Sequence, residues 1–78
     1  MAKVIIYTQN GCAPCLQEKA WLKENGVEFE ERNLSLNRDY IDDLLNAGAR
    51  STPVTFVGDE MVIGFDRERL SSLLNLQR

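Results

Sequence analysis

The sequence has no histidine, two cysteines, two prolines and one tryptophan among its 78 residues. Structural zinc is held by four Cys or His side chains, so one such chain cannot assemble that donor set. Two cysteines also cannot make the multi-bridge framework on which many small domains depend. They stand only three positions apart, at Cys12 and Cys15. A bridge between them closes a very short loop, and in the chain-entropy model stabilisation shrinks with loop length.

Long apolar runs are missing as well. The N-terminal "MAKVIIYT" has one lysine and four consecutive apolar or aromatic residues, far short of a leader's apolar region or a spanning helix. A cytoplasmic protein with no membrane association is the expectation. Basic clusters are absent and the formal charge is −3, which speaks against a nucleic-acid partner, whose phosphates demand a basic face. There is no phosphate loop, hydrolase triad, linker or repeat. Residues 1–78 read as a single domain.

What remains is a lone C-x-x-C in "TQNGCAPCLQEKAWL". In a reducing compartment a disulfide is usually transient and catalytic, so a working redox pair is the reading, with no bound cofactor and no metal in the monomer. A cluster shared between two chains, its shell completed by outside thiols, is an alternative of another class.

The patterning places this motif. Lys3 to Thr8 reads as a strand whose near-continuous "VIIY" suggests burial on both faces. Asn10 and Gly11 make a turn. A helix follows from Ala13 to Asn25, with Pro14 tolerated in its first turn, Gly26 after its end, and Leu16, Ala20, Trp21 and Leu22 on its inner side. "VEFEERNL" alternates Val27 and Phe29 with glutamates, as in a strand near a sheet edge. The second helix spans Arg38 to Ala47, capped by Ser35 or Asn37, with Ile41, Leu44 and Leu45 on one side. "PVTFV" and "MVI" form a hairpin around Gly58-Asp59. Asp66 caps the third helix, with Phe65 and Leu70 spaced as a hydrophobic staple. The order is β-α-β-α-β-β-α, an α/β domain.

Three blocks in this order, "YTQNGCAPC", "STPVTFVGDEMVIGFD" and the short helix that follows, resemble the glutaredoxin branch of the thioredoxin fold. The likeness runs from Ile5 to Leu74. It implies a four-stranded mixed sheet of order 2-1-3-4 flanked by three helices, and a small monomeric dithiol–disulfide oxidoreductase acting on protein or glutathione mixed disulfides.

Only a thiolate attacks a disulfide, and an unperturbed thiol of pKa ~8.5 is about 3% ionised at pH 7. Cys12 falls at a helix start, where unpaired N–H groups and the dipole favour an anion. A pKa of ~6 needs roughly 3.4 kcal/mol at 1.36 per unit, more than the ~2 kcal/mol a dipole supplies. Hydrogen bonds from the Cys15 thiol and nearby amides must add to it. Cys15, one turn on, is expected to be the more buried, resolving thiol.

By resemblance, Pro53 is cis and Thr52 offers its backbone N–H and C=O to substrate, a form of strand addition. Pro53 alone also reads as the start of an edge strand. Gly64, Phe65 and Asp66 match the segment that grips the γ-glutamyl end of glutathione, although Asp66 equally explains itself as an N-cap. Gln9 stands where glutathione-using relatives commonly carry lysine, and Pro14 where they carry an aromatic. "GARSTPV" and "IGFDR" also look like redoxins that reduce ribonucleotide reductase and are recharged by thioredoxin reductase. Arg50 fits that form, or is merely solvated. The expected substrate-binding set is Gln9, Arg50, Thr52, Pro53, Gly64, Phe65 and Asp66, with Cys12 and Cys15 catalytic. Glutathione is the preferred co-substrate and thioredoxin reductase the alternative donor. Tyr7 and Trp21 read as packing, and Glu30, Glu31, Asp42 and Asp43 as solvated acids.

Overall fold

The computed structural model describes residues 3–76. Met1 and Ala2, where the N-terminal stretch begins, and Gln77 and Arg78 lie outside the described residues. Strand β1 (Val4–Thr8) is followed by helix α1 (Ala13–Glu24), β2 (Glu30–Asn33), α2 (Asp39–Asn46), β3 (Val54–Val57), β4 (Glu60–Ile63) and α3 (Arg67–Leu74). The strands form one sheet of order β2-β1-β3-β4, with β1 parallel to β2 and the other pairs antiparallel. This is the expected architecture.

Local chemistry explains the boundaries. Gly26 follows α1 at φ 71°, the left-handed conformation that closes a helix at no steric cost. Asp66 Oδ1 accepts from the Arg69 N–H at 3.1 Å and starts α3. Gly58 and Asp59 form the two-residue hairpin loop, leaving Glu60 in β4. The alternating Val27 and Phe29 precede β2 rather than lie in it, because pairing with β1 begins only at Glu30 opposite Ile5. Helix α2 has no side-chain bond from Arg38 at its N-cap position. Instead Asn37 Oδ1 accepts from the Asp39 N–H, while Ser35 Oγ accepts from the Asn10 N–H.

Period-two alternation sorts the core onto two faces of the sheet. One gathers Tyr7, Leu44, Ala49 and Val54, with Ile5, Leu34, Tyr40, Phe56 and Met61 around them. Tyr7 meets Tyr40 and Phe56 edge-on, and its hydroxyl accepts from Arg32 Nη1. The other face gathers Val57, Val62 and Leu70 with Trp21, Phe65, Leu73 and Leu74. Tyr7 and Trp21 are therefore packing residues.

The inner stripe of α1 differs from the hydropathy reading. Leu16 is 64% exposed and Ala20 is exposed, whereas the buried residues are Cys15, Glu18 and Leu22. Ile41 and Leu45 are likewise exposed, leaving Leu44 as the buried anchor of α2. Glu30 pairs with Lys3 and Arg32, and Glu31 with Lys19. These two acids are engaged rather than simply solvated. Arg32 beside Glu30, and Lys19 beside Glu31, hold the carboxyls below the usual range.

Candidate active site

The turn between β1 and α1 is fixed before the first cysteine arrives. Gly11 takes φ 77°, and Asn10 is tied across to the loop after β2 by Ser35 Oγ at 3.0 Å and by Asn33 Nδ2 at 3.2 Å. Cys12 then occupies the N-cap of α1. Its sulfur accepts from the Cys15 N–H at 3.2 Å, the place usually taken by a Ser, Thr or Asp oxygen. The first turn carries no acidic residue and has Pro14 in it, so the positive helix end is left to the sulfur.

Cys12 and Cys15 are joined as a disulfide, with Cα atoms 5.3 Å apart. The two sulfurs differ in depth: Cys12 is half-buried, and Cys15 is 1% exposed. Thr52, just before β3, brings a group that the sequence reading assigned only a backbone role. Its Oγ1–H donates to Cys12 Sγ at 3.6 Å. The Thr52–Pro53 peptide bond is cis and Pro53 is buried.

The remaining candidates fall into two groups. Gln9, Arg50 and Thr52 line a small cavity of about 70 Å³ together with Leu34, Ile41, Leu44 and Leu45. Gly64, at φ 80°, donates its N–H to the Pro53 carbonyl at 2.8 Å, which ties the β4–α3 turn to the cis-proline segment. Beyond it, Phe65 packs edge-on against Trp21, and Asp66 caps α3. Asp66 stays exposed. Among the described residues no group of three or more His, Cys, Asp or Glu side chains is arranged to hold a metal, and no helix is long and apolar enough to cross a membrane.

Sequence reasoning passed over Thr8, Glu18 and Thr55, the buried polar residues on the α1 side of the sheet. Thr8 Oγ1 donates to Glu31 at 2.7 Å, and Thr55 Oγ1 donates to Glu18 Oε2. The only local signal was that "CLQEKAWL" sets Glu18 three and four positions from Cys15 and Leu22, on the same side of a helix.

Residues 4–62 match the Glutaredoxin family model. The chain belongs to the glutaredoxin family. Glutaredoxin-like protein NrdH of Lactococcus lactis is 30% identical over 70 residues, which span 90% of this chain and 97% of that protein. A thioredoxin-like protein known from the crystal structure of a point mutant superposes with a TM-score of 0.92 at 36% identity, covering 99% of this chain and 100% of its own. The glutaredoxin-like NrdH-redoxin of Escherichia coli, described for a thioredoxin-like activity profile, gives a TM-score of 0.80 at 28% identity, covering 97% and 96%. This glutaredoxin-like chain is thus a thiol–disulfide oxidoreductase with a C-x-x-C pair.

Proposed function

We propose that Cys12 is the nucleophile and Cys15 the resolving thiol of a dithiol mechanism on protein disulfides. The observation that carries this reading is the asymmetry of the pair. A half-buried sulfur sits at a helix N-terminus with donors from Cys15 N–H and Thr52 Oγ1–H, and its partner lies fully inside. The Cys12 thiolate attacks a substrate sulfur, expelling one thiolate and forming a mixed disulfide. Cys15 then attacks Cys12 Sγ and releases the second. Thr52 backbone groups pair with the extended substrate, while Gln9 and Arg50 flank it across the small cavity.

For the donor we favour thioredoxin reductase. Gln9 gives only neutral hydrogen bonds where glutathione-using relatives place a charge, and charge-assisted bonds are roughly twice as strong. The thioredoxin-like profile of the E. coli relative supports the same donor. Glutathione, the co-substrate preferred on sequence, is the second reading. Exposed Asp66 and the Gly64–Pro53 tie favour it by keeping the γ-glutamyl segment in place. A ribonucleotide reductase disulfide is the protein substrate that goes with the first reading. The protein works as a cytoplasmic monomer in both.

NADPH oxidation with a disulfide substrate decides, run with thioredoxin reductase alone and with glutathione plus glutathione reductase. Turnover with thioredoxin reductase is expected. Turnover only with glutathione overturns that donor and leaves Cys12 and Cys15 in the same roles. Visible absorbance and iron in anaerobically purified protein would instead mark the cluster-sharing alternative.

A further inference from the structure

One turn below the disulfide lies a carboxyl that none of these steps uses. Glu18 has no exposed surface. Its Oε2 accepts from Thr55 Oγ1, and its Oε1 has no hydrogen-bond partner among the described residues. Thr55 sits in the middle of the sheet, opposite Ile6 of β1 and Val62 of β4. A carboxyl here is costly, since a buried polar atom left unpaired loses its hydration without return. An apolar side chain at this position would pack at no such cost.

Geometry links this carboxyl to the resolving step. Cys15 and Glu18 lie on the same buried stripe of α1, and residues three apart on a helix have Cβ atoms about 5–6 Å apart. Helical side chains lean toward the N-terminus, which from position 18 is the direction of Cys15. Cys15 must lose a proton before it attacks, yet at 1% exposure it has almost no contact with bulk water. The acceptor has to come from the protein.

Among the described residues no other titratable group on this side of the sheet suits. Glu31 is held by Lys19 and Thr8, which makes it a weak base. Glu60 pairs with Arg69 at the surface, and Asp66 is spent on the α3 cap. Glu68 and Arg67 on α3 are exposed. The residues that β1, β3 and β4 bury against α1 and α3 are Val4, Ile6, Thr8, Thr55, Val57 and Val62, none of which titrates.

We propose that Glu18 is the proton acceptor for Cys15 in the resolving step, a role that rests on the reading of Cys12 as nucleophile and Cys15 as resolving thiol. The Cys15 S–H proton passes to Glu18 Oε1. The thiolate pair then forms the Cys15–Cys12 bond, the Cys12–substrate S–S bond breaks, and its pair leaves on the substrate sulfur, which takes a proton from water. In the return half-reaction the donor dithiol supplies two electrons, Cys12 leaves as thiolate, and Cys15 reclaims the proton from Glu18. Burial pushes the Glu18 carboxyl up to about 7, with the Thr55 hydrogen bond opposing. An acceptor with that value is poised near neutral pH.

The test is a single turnover of reduced protein with dithiobis-nitrobenzoate, each molecule of which yields two coloured thiolates. The first release reports attack by Cys12 and the second reports resolution by Cys15. Glu18→Gln is expected to leave the first release unchanged. The second should slow by about 10²-fold at pH 7, the low end for a general base, and its pH profile should move from an inflection near 7 to the higher range of an unassisted thiol. An unchanged second release with an unchanged profile overturns the inference while leaving the nucleophile reading intact. Absence of even a first release in the unaltered protein overturns that reading and the inference with it. If Glu18→Gln does not fold, Thr55→Val removes the bond that holds the carboxyl down. The second-release inflection should then move upward, and no movement overturns the inference.

Discussion

The two faces of the sheet are built on opposite terms. Toward α2, Tyr7, Leu44, Ala49 and Val54 pack as an aromatic and aliphatic layer. Toward α1 and α3, the buried set includes Cys15, Glu18, Thr8 and Thr55 among Ile6, Leu22, Val62 and Leu70. The first face is an apolar layer, and its Leu44 also lines the small cavity beside Thr52. The second gives up part of its apolar burial by enclosing hydroxyls, a disulfide sulfur and a carboxyl, and it is the face that the redox helix covers. Polar burial in so small a domain is destabilising unless satisfied; Thr8 and Thr55 are satisfied by Glu31 and Glu18, and among the described residues Glu18 Oε1 is left without a partner.

The largest contrast lies at the disulfide itself. Cys12→Ser should abolish reduction of a small-disulfide or insulin substrate altogether. Cys15→Ser should stop the reaction at a mixed disulfide, visible as an added mass on the intact protein. Equal residual turnover in the two variants would erase the distinction between an accessible and an enclosed sulfur.

Truncating the apolar face should cost stability and spare chemistry. Leu44→Ala removes the buried anchor of α2, and large-to-small core changes of this kind cost about 2–5 kcal/mol. Urea unfolding should show that loss, while the alkylation rate of reduced Cys12 stays within about twofold, because its sulfur is held by the Cys15 amide and the Thr52 hydroxyl rather than by Leu44. A large fall in Cys12 reactivity would show that the two faces are coupled.

The polar face should reveal itself through pH. Folded Glu18 keeps its proton up to about 7, whereas the unfolded chain gives it up near 4.5. Between those values the unfolded state binds fewer protons, so the Glu18 contribution to stability is greatest below pH 4.5 and falls as pH rises to 7. At 1.36 kcal/mol per unit the fall is at most about 3 kcal/mol. Glu18→Gln should remove this slope and gain on the unaltered protein above pH 7. High salt reduces the competing contribution of the Lys3, Lys19 and Arg32 pairs, whose acids act with the opposite sign. Parallel stability curves for the two proteins from pH 5 to 8 would mean that Glu18 does not titrate on unfolding.

These contrasts separate what was legible in the sequence from what was not. Helix ends and the hairpin were legible, because Gly26, Asp66 and Gly58-Asp59 act through their own backbone or a neighbour three residues away. The element order and the C-x-x-C at a helix start followed from them. The inner side of α1 was not legible. A hydropathy reading sends Leu16 inward and gives no reason to bury Glu18, and the hydroxyl that bonds the Glu18 carboxyl, that of Thr55, lies 37 positions along the chain. Thr52 was assigned by its place before Pro53, but its hydroxyl on Cys12 spans 40 positions. Contacts of that separation leave no periodic trace.

The smallest predicted effect belongs to that hydroxyl, and it compares two threonines three positions apart. Thr52 Oγ1 donates to Cys12 Sγ, and a hydroxyl donated to sulfur favours the thiolate over the thiol. Thr52→Val keeps the shape and deletes the donor. The contact is long at 3.6 Å, and the Cys15 amide remains on the same sulfur at 3.2 Å, so the loss is a fraction of a charge-assisted bond. We expect about half a unit, equivalent to about 0.7 kcal/mol at 1.36 per unit. Iodoacetamide alkylation of reduced protein below its titration midpoint should then slow by about threefold, with Thr52→Ser restoring the rate. Thr55→Val should leave Cys12 alkylation unchanged, since its hydroxyl serves Glu18 in the sheet's interior. If both valine variants shifted Cys12 equally, the hydroxyl contact at Thr52 would have no specific part in holding the thiolate, and the helix N-terminus with the Cys15 amide would carry that task alone.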